Sequence, residues 1–377
     1  MHHKKNKIGS SGGFYRQIDA ALPKALKIIP GKSVGRCSIV LLAIVMLLGI
    51  FSPARADYSY KKQITLKSAK VSGASALTNF PVLISIPTDN DLRDHVTDAN
   101  GYDIIFKDSG GTPLDHEIER YVSTSGKLVA WVRIPALSAS TDTVITMYYG
   151  DSSVTSSTEN VSGVWDSNFK GVWHLKENPA GVAPQMKDSS GYGNHGIARD
   201  DSWNLWNASD RVTGKMGYGT YFHDTGGSDK RIDVGNDSSL NFTTGMTLEA
   251  WVKPDQVDET NRPVIYKGNT YKMDAMRSYN VTPDVYVYIQ DNGWQAKHPP
   301  SALTAAWHHL VGTYDASDRT MRIYIDGNER ANKTLSGLSS YLIRPTTEVL
   351  TLAKKDLEGI LDEARVSNIA RSSDWIK

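Results

Sequence analysis

Period-two alternation of apolar and polar positions dominates the chain. Leu128, Ala130, Val132 and Ile134 fall on one face of a segment, with Val129, Trp131 and Arg133 on the other. Met246, Leu248, Ala250 and Val252 alternate with Thr247, Glu249, Trp251 and Lys253. Val285, Val287 and Ile289 alternate with Tyr286, Tyr288 and Gln290, and Met321, Ile323 and Ile325 with Arg322, Tyr324 and Asp326. This period predicts half-buried antiparallel strands, punctuated by clusters of Gly, Pro, Asn and Asp. Asp326-Gly327 is a hairpin-turn signal. There is no long helical stripe, and Ile369 to Ile376 is the one stretch that suits a short helix. The pattern predicts an all-β chain made of two β-sandwich domains.

The N-terminus breaks this pattern. A basic segment leads into an unbroken apolar run from Ser38 to Phe51, followed by Ala54-Arg55-Ala56. A small-x-small triplet after such a run marks a cleaved secretory signal peptide, residues 1–56. The alternative is an uncleaved anchor, but a spanning helix needs about 20 apolar residues and this run is shorter. The single cysteine, Cys37, precedes the run, whereas a lipid-carrying cysteine would follow it. Cleavage removes nine of the 42 basic residues and one of the 41 acids, leaving 33 against 40 and a net charge of about −7. An acidic mature surface lacks the basic footprint that nucleic acid requires. The mature chain has no cysteine, so it must fold on core burial without disulfides.

A polar stretch, Gly150 to Thr158, separates two units: 57–150, then a linker at 151–163, then 164–377. The first carries Phe80-Pro-Val-Leu-Ile, Asp103-Ile-Ile-Phe, His116-Glu-Ile-Glu119, Trp131-Val-Arg-Ile-Pro135 and Met147-Tyr-Tyr-Gly150. In order and spacing this set resembles an uncharacterised bacterial and archaeal domain family that commonly precedes laminin-G-like domains. The second carries Asp188-Ser-Ser-Gly-Tyr-Gly-Asn-His-Gly196, Leu248-Glu-Ala-Trp-Val-Lys253, Trp307-His-His309, Tyr324-Ile-Asp-Gly327 and Asp362-Glu-Ala-Arg365. It resembles a laminin-G-like domain of the concanavalin A-like lectin/glucanase superfamily. The resemblance implies a jelly-roll sandwich, a fold that carries both lectins and glycanases and so does not decide function.

Several groups are candidates for chemistry. Asp115, Glu117 and Glu119 alternate with Leu114, His116 and Ile118, placing three carboxylates on one strand face. Hydrolysis of a glycosidic bond needs two carboxyls about 5 Å apart or somewhat more. These three lie outside the jelly roll, and a solvated edge face is the expectation for them. Asp362 and Glu363 are adjacent, so a regular strand sends them to opposite faces and they do not jointly flank one bond. His308 and His309 are separated in the same way, while His174 and His195 lie far off in sequence. None has the spacing of a metal clamp, and structural roles are expected. The resemblance also implies one structural calcium ion, for which Asp188, Asn194 and Asp362 offer hard oxygen donors. The competing reading makes Asp188 and Asn194 turn residues that satisfy local backbone groups. For ligand binding, Trp203 and Trp206 sit in a polar loop and Trp294 follows Asp291-Asn-Gly. Such rings either stack on a sugar or plug the open end of the sandwich.

Together these features predict an exported, non-catalytic module that binds a glycan or a cell-surface or periplasmic protein. One alternative is an extracytoplasmic sensor or scaffold of a membrane proton-channel or biopolymer-transport type protein. In that case membrane attachment would run through an uncleaved N-terminal segment or a region beyond Lys377. Another alternative is a glycan-active hydrolase or lyase. N-terminal sequencing of exported material is expected to begin at Asp57. Material that retains residues 38–51 would refute cleavage.

Overall fold

The computed structural model describes residues 57–200, 206–223, 230–277, 281–354 and 357–377. The expected signal segment and Trp203 lie outside the described residues.

The first unit has seven strands: β1 (Tyr60–Leu66), β2 (Leu77–Ile86), β3 (Ile105–Asp108), β4 (Pro113–Leu114), β5 (His116–Val122), β6 (Lys127–Leu137) and β7 (Thr143–Tyr149). They form two antiparallel sheets, one in the order β1-β7-β3-β4 and the other β2-β6-β5. Leu128, Ala130, Val132 and Ile134 of β6 enter the core between the sheets, with Phe106, Ile145 and Met147 facing them. The alternation along β6 is therefore real, but the strand is not half-buried. Val129 and Trp131 on its other face are also buried, at 1% and 5% exposure, and Trp131 packs against Trp165 of the second unit.

The second unit comprises β8 (Phe169–Trp173), β9 (Ile197–Arg199), β10 (Arg211–Thr213), β11 (Tyr218–Phe222), β12 (Arg231–Gly235), β13 (Gly245–Pro254), β14 (Arg262–Lys267), β15 (Tyr271–Met276), β16 (Asp284–Ile289), β17 (Gly293–Lys297), β18 (His308–Asp315), β19 (Thr320–Ile325), β20 (Asn328–Thr334), β21 (Leu350–Leu352) and β22 (Gly359–Ser367). One sheet runs β10-β11-β22-β13-β18-β19-β20, with β8 also paired to β22. The other runs β17-β16-β15-β14-β21-β12-β9. Met246, Leu248, Ala250 and Val252 of β13 and Val285, Val287 and Ile289 of β16 are fully buried between them, as the alternation predicts. The expected hairpin turn is present: Asp326 and Gly327 take φ of 52° and 73° between the paired residues Ile325 and Asn328.

The two cores are joined by a third apolar cluster of Trp131, Val164, Trp165, Phe169 and Val172. The linker lies along the first unit, where the Ile118 N–H donates to Glu159 Oε1 at 2.6 Å and Thr158 Oγ1 donates to the Tyr102 carbonyl at 2.7 Å. The expected C-terminal helix is one turn, Ser373–Ile376, capped by Ser372 Oγ accepting from the Trp375 N–H. It too bridges the units. Ser72 Oγ donates to Asp374 Oδ1 at 2.8 Å, and the Trp375 ring lies 5.3 Å from Phe80 and 5.8 Å from Phe169.

The jelly-roll sheets approach closely at Gly312 on β18. A Cβ there would lie 2.5 Å from Val285 Cγ2 across the core, and the β-branched valine has no free rotamer into which to retreat. Gly312→Ala is therefore expected to destabilise the protein by about 1–3 kcal/mol through overpacking. Urea unfolding of the variant against wild type measures this.

Candidate functional site

Strand β22 carries an irregularity that brings chemistry together. Along one edge it pairs with β13 throughout; along the other, Gly359–Leu361 pair with β11 and Ala364–Ser367 with β8. Asp362 and Glu363 fall in the gap between those two partners. Opposite them the register against β13 shifts between Glu249 and Trp251, and Glu363 takes φ of 53°. A non-glycine residue in the left-handed region marks a bulge held in place by its surroundings. The expectation that Asp362 and Glu363 point to opposite faces is thus overturned. The bulge cancels the alternation, and both carboxyls are buried in one polar cluster, at 0% and 1% exposure.

The first unit contributes the other half. Glu117 and Glu119 of β5 are only 3% and 6% exposed, which overturns their reading as a solvated edge face. Strand β5 is an edge strand, but the segment from Trp165 to Lys176 and the Asp188 loop cover that face. Asp115, just ahead of β5, stays nearer the surface and pairs with Arg133. His174, immediately after β8, stands at the centre. Its Nδ1 lies 2.7 Å from Glu363 Oε1 and 4.0 Å from Glu119 Oε2, and its Nε2 lies 3.1 Å from Glu117 Oε2. Ser189 Oγ donates to Glu117 Oε1 at 2.8 Å, and Lys176 Nζ stands 3.6 Å away from the same oxygen. Trp165 Nε1 donates to Glu117 and Trp131 Nε1 to Glu119, each at 3.2 Å. Arg365 links Glu363 Oε2 to Glu249 Oε1, and its guanidinium lies 4.4 Å from the Trp131 ring centre and 5.0 Å from that of Trp165. Glu249 in turn is 3.0 Å from His309 Nε2.

The cluster divides its carboxyls by environment. Burial pushes Glu117 up, but His174, Lys176 and the Ser189 hydroxyl outweigh it and hold the group at about 2. Burial likewise opposes ionisation of Glu363, and His174 with Arg365 bring it to about 2. Burial and the Glu363 charge raise Glu119 to about 8, and the same two causes push Asp362 well above the carboxylate range. Burial disfavours the His174 imidazolium, yet Glu117 and Glu363 keep its pKa well above the usual histidine value.

The other residues singled out by sequence are placed as follows. Asp188 lies in its expected turn. Its Oδ1 accepts from the Val172 and Ser190 N–H groups, and its Oδ2 from Ser190 Oγ and the Asn194 N–H, all at 2.9 Å. Asn194 Nδ2 donates to the Lys170 carbonyl and to Ser239 Oγ. Asp362 does not join this loop through any described hydrogen bond; its Oδ2 accepts from the Met216 N–H at 2.9 Å. His195 Nδ1 accepts from the Asp188 N–H, and His308 and His309 pair separately with Asp326 and Glu249. His174 is the histidine that sequence spacing missed. Its partners come from β5 and β22, and no local signal announces them.

The tryptophans separate as well. Trp206 is a plug: it is 7% exposed, sits edge-on to Phe222 and donates from Nε1 to the Arg199 carbonyl. Trp294 on β17 is 38% exposed and stands edge-on to Tyr286 and Tyr288. These rings belong to the outer face of the seven-stranded sheet. Asp233, Thr351, Tyr266, Lys272 and Tyr286 are directly opposed across β12, β21, β14, β15 and β16. Cations flank the rings, with Lys272 Nζ 4.0 Å from the Tyr286 centroid, Lys354 Nζ 4.2 Å from Tyr266 and the Arg344 guanidinium 4.9 Å from Tyr288. At one end Arg231, Asp233, Tyr266, Glu348, Val349, Thr351 and Lys354 line a groove of about 360 Å³. Sequence alternation exposed Tyr286 and Tyr288, but not their neighbours on other strands.

Arg365 is the fixed cation between Glu249 and Glu363. Arg365→Met keeps most of the stem against Trp131 while leaving both carboxylates without it. Breaking a buried pair from one side costs about 3–5 kcal/mol. A fall in urea-unfolding free energy of that size is expected, and a change below about 1 kcal/mol would contradict it.

Residues 225–377 match the concanavalin A-like lectin/glucanases superfamily, and residues 100–174 match a domain of unknown function, DUF2341. No curated protein matches the chain. Among solved structures it is similar to the binding domain of Paraclostridial Mosquitocidal Protein 1, at 12% identity and TM-score 0.37, covering 55% of this chain and 51% of that one. It is also similar to the botulinum neurotoxin serotype D binding domain, at 11% identity and TM-score 0.40, covering 55% and 49%. A further similar structure is the serotype D ligand binding domain in complex with N-acetylneuraminic acid, at 12% identity and TM-score 0.38, covering 58% and 51%. The chain spans about half the length of these structures. Residues 225–377 therefore carry a concanavalin A-like domain of the lectin/glucanases superfamily, preceded at residues 100–174 by a DUF2341 domain.

Proposed function

We propose that this chain is an exported, non-catalytic binding module that takes a glycan on the outer face of the seven-stranded sheet. The observation that carries this reading is the row Asp233-Thr351-Tyr266-Lys272-Tyr286, opposed residue by residue across five strands. Neighbouring strands lie about 4.8 Å apart, so the row extends roughly 19 Å. Aromatic faces in such a row stack on the C–H faces of sugar rings, and the charged groups between them bond to hydroxyls. Trp294 stands beside the row against Tyr288, its directly opposed neighbour on β16. Support for export comes from the apolar run and the Ala54-Arg55-Ala56 triplet.

The rival reading as a glycan hydrolase gains one observation on the same face. Asp274 of β15 and Asp284 of β16 are directly opposed. Burial raises Asp274 to about 6 in spite of Lys272, and burial also raises Asp284. Two carboxyls with raised pKa on neighbouring strands suit acid catalysis. Against this, both are 0% exposed, and they are held by Lys272 at 2.7 Å and by the Tyr286 hydroxyl at 2.9 Å. A ligand on the face would meet those partners, not the carboxyls. The binding reading is preferred for that reason.

A glycan array with the purified chain, followed by calorimetry on the best glycan, tests both readings. Trp294→Ala and Tyr288→Ala are each expected to weaken binding by about 2- to 12-fold, the range of an aromatic contact. Glycan binding that is absent, or untouched by both substitutions, overturns the proposal. Turnover of the bound glycan that disappears in Asp274→Asn would establish the hydrolase instead.

A further inference from the structure

The polar junction between the two units is more than a set of ion pairs. Five buried carboxyls, Glu117, Glu119, Glu249, Asp362 and Glu363, share the space with Lys176, Arg365, His174 and His309. Even with both imidazoles protonated, acids outnumber cations. Two carboxylate oxygens of the cluster, Glu119 Oε1 and Asp362 Oδ1, are buried and have no hydrogen-bond partner among the described residues. Both side chains are fully buried. A buried carboxyl oxygen with no partner is costly whichever form the group takes, and native structures rarely leave one unless something else occupies it.

Beside these orphan atoms, one imidazole and two carboxyls are grouped as ligands to a cation would be. Glu119, His174 and Glu363 each offer one ligand atom, all within 4.8 Å of one another. Ligands bound at about 2.0–2.2 Å around one ion stand roughly 3–4 Å apart. The 4.0 Å from His174 Nδ1 to Glu119 Oε2 fits that spacing, and the 2.7 Å to Glu363 Oε1 needs only a small opening. Behind the imidazole, Glu117 Oε2 lies 3.1 Å from Nε2. A carboxylate on the far nitrogen is the arrangement that orients a metal-bound histidine. Arg365 sits on the outer oxygen of Glu363 and leaves Oε1 facing the imidazole.

We propose that Glu119, His174 and Glu363 form a buried divalent-metal site that staples the first sandwich to the jelly roll, with Glu117 orienting the imidazole. The mixed nitrogen and carboxylate set suits zinc or manganese rather than calcium or magnesium, which take oxygen ligands. The ligands come from β5, from the residue after β8 and from the β22 bulge, so the site exists only when both units are docked. A metal that binds only the docked, folded protein stabilises it in proportion to the logarithm of its free concentration.

The test uses the purified full chain, stripped with chelator and then titrated with ZnCl2, MnCl2 or CaCl2. Elemental analysis is expected to find about one zinc or manganese ion per chain, and melting curves are expected to shift upward with that metal and not with calcium. Cobalt substitution should give a visible absorption band from nitrogen and oxygen ligation. Glu119→Gln keeps an acceptor for Trp131 and preserves side-chain size. It is expected to fold, as judged by circular dichroism, while its bound metal and its metal-dependent melting shift are lost. Glu363→Gln gives the same loss by a second route. Three results would each overturn the proposal: no bound metal with superimposed melting curves, undiminished metal binding in folded Glu119→Gln, or a response to calcium alone.

Discussion

The burial of charge around His174 is the constraint on which the rest of this structure depends. Two β-sandwiches with separate cores are held in one arrangement by carboxylates that cannot be left in an apolar interior alone. Apolar contact among Trp131, Trp165, Phe169 and Val172 brings the units together, but such contact is non-directional. The ionic cluster adds direction, because Glu117 of the first unit must meet His174 at 3.1 Å while His174 meets Glu363 at 2.7 Å. A sliding motion that an oily interface would tolerate would here strand a buried charge, which costs several kcal/mol. The tryptophans serve both purposes. Their rings fill the interface, while Nε1 of Trp131 and of Trp165 donates to Glu119 and Glu117.

The fold was legible in the sequence because a sandwich strand displays its buried face locally, every second residue. Met246 to Val252 and Val285 to Ile289 behave in the structure as their alternation predicts. The same logic misplaced residues whose other face is covered by something distant. Trp131 reads as outward-facing, as do Glu117 and Glu119, and these are buried because the second unit packs on them. Asp362 and Glu363 were misread for a different reason. Alternation holds only along a regular strand, and the bulge at Glu363 depends on a gap between β11 and β8 that no local window contains. Trp206 and Trp294 look alike in sequence and differ because one faces Phe222 inside the sandwich and the other lies on the edge strand β17, partly exposed beside Tyr288.

Both failures involve partners that lie far away in sequence. The residues that carry most chemistry here are those whose partners lie far away in sequence: His174 meets Glu363 across 189 positions and Glu117 across 57. Sequence patterning reports what a segment does for its own sheet. It does not report which sheets meet, and the junction is a property of that meeting.

The jelly roll uses its two sheets differently as a result. Glu249 on β13 alternates with core residues Leu248 and Ala250, so it points to the outer side of its sheet, where the first unit is docked. Tyr286 and Tyr288 on β16 alternate with core residues Val285, Val287 and Ile289, so they point to the outer side of the opposite sheet. One outer face is consumed by the junction and the other carries the aromatic row. Because the sandwich between them is close-packed, fixing the first face also fixes the orientation of the second. The first unit thereby packs against the back of the concanavalin A-like domain, and the aromatic row lies on the opposite sheet.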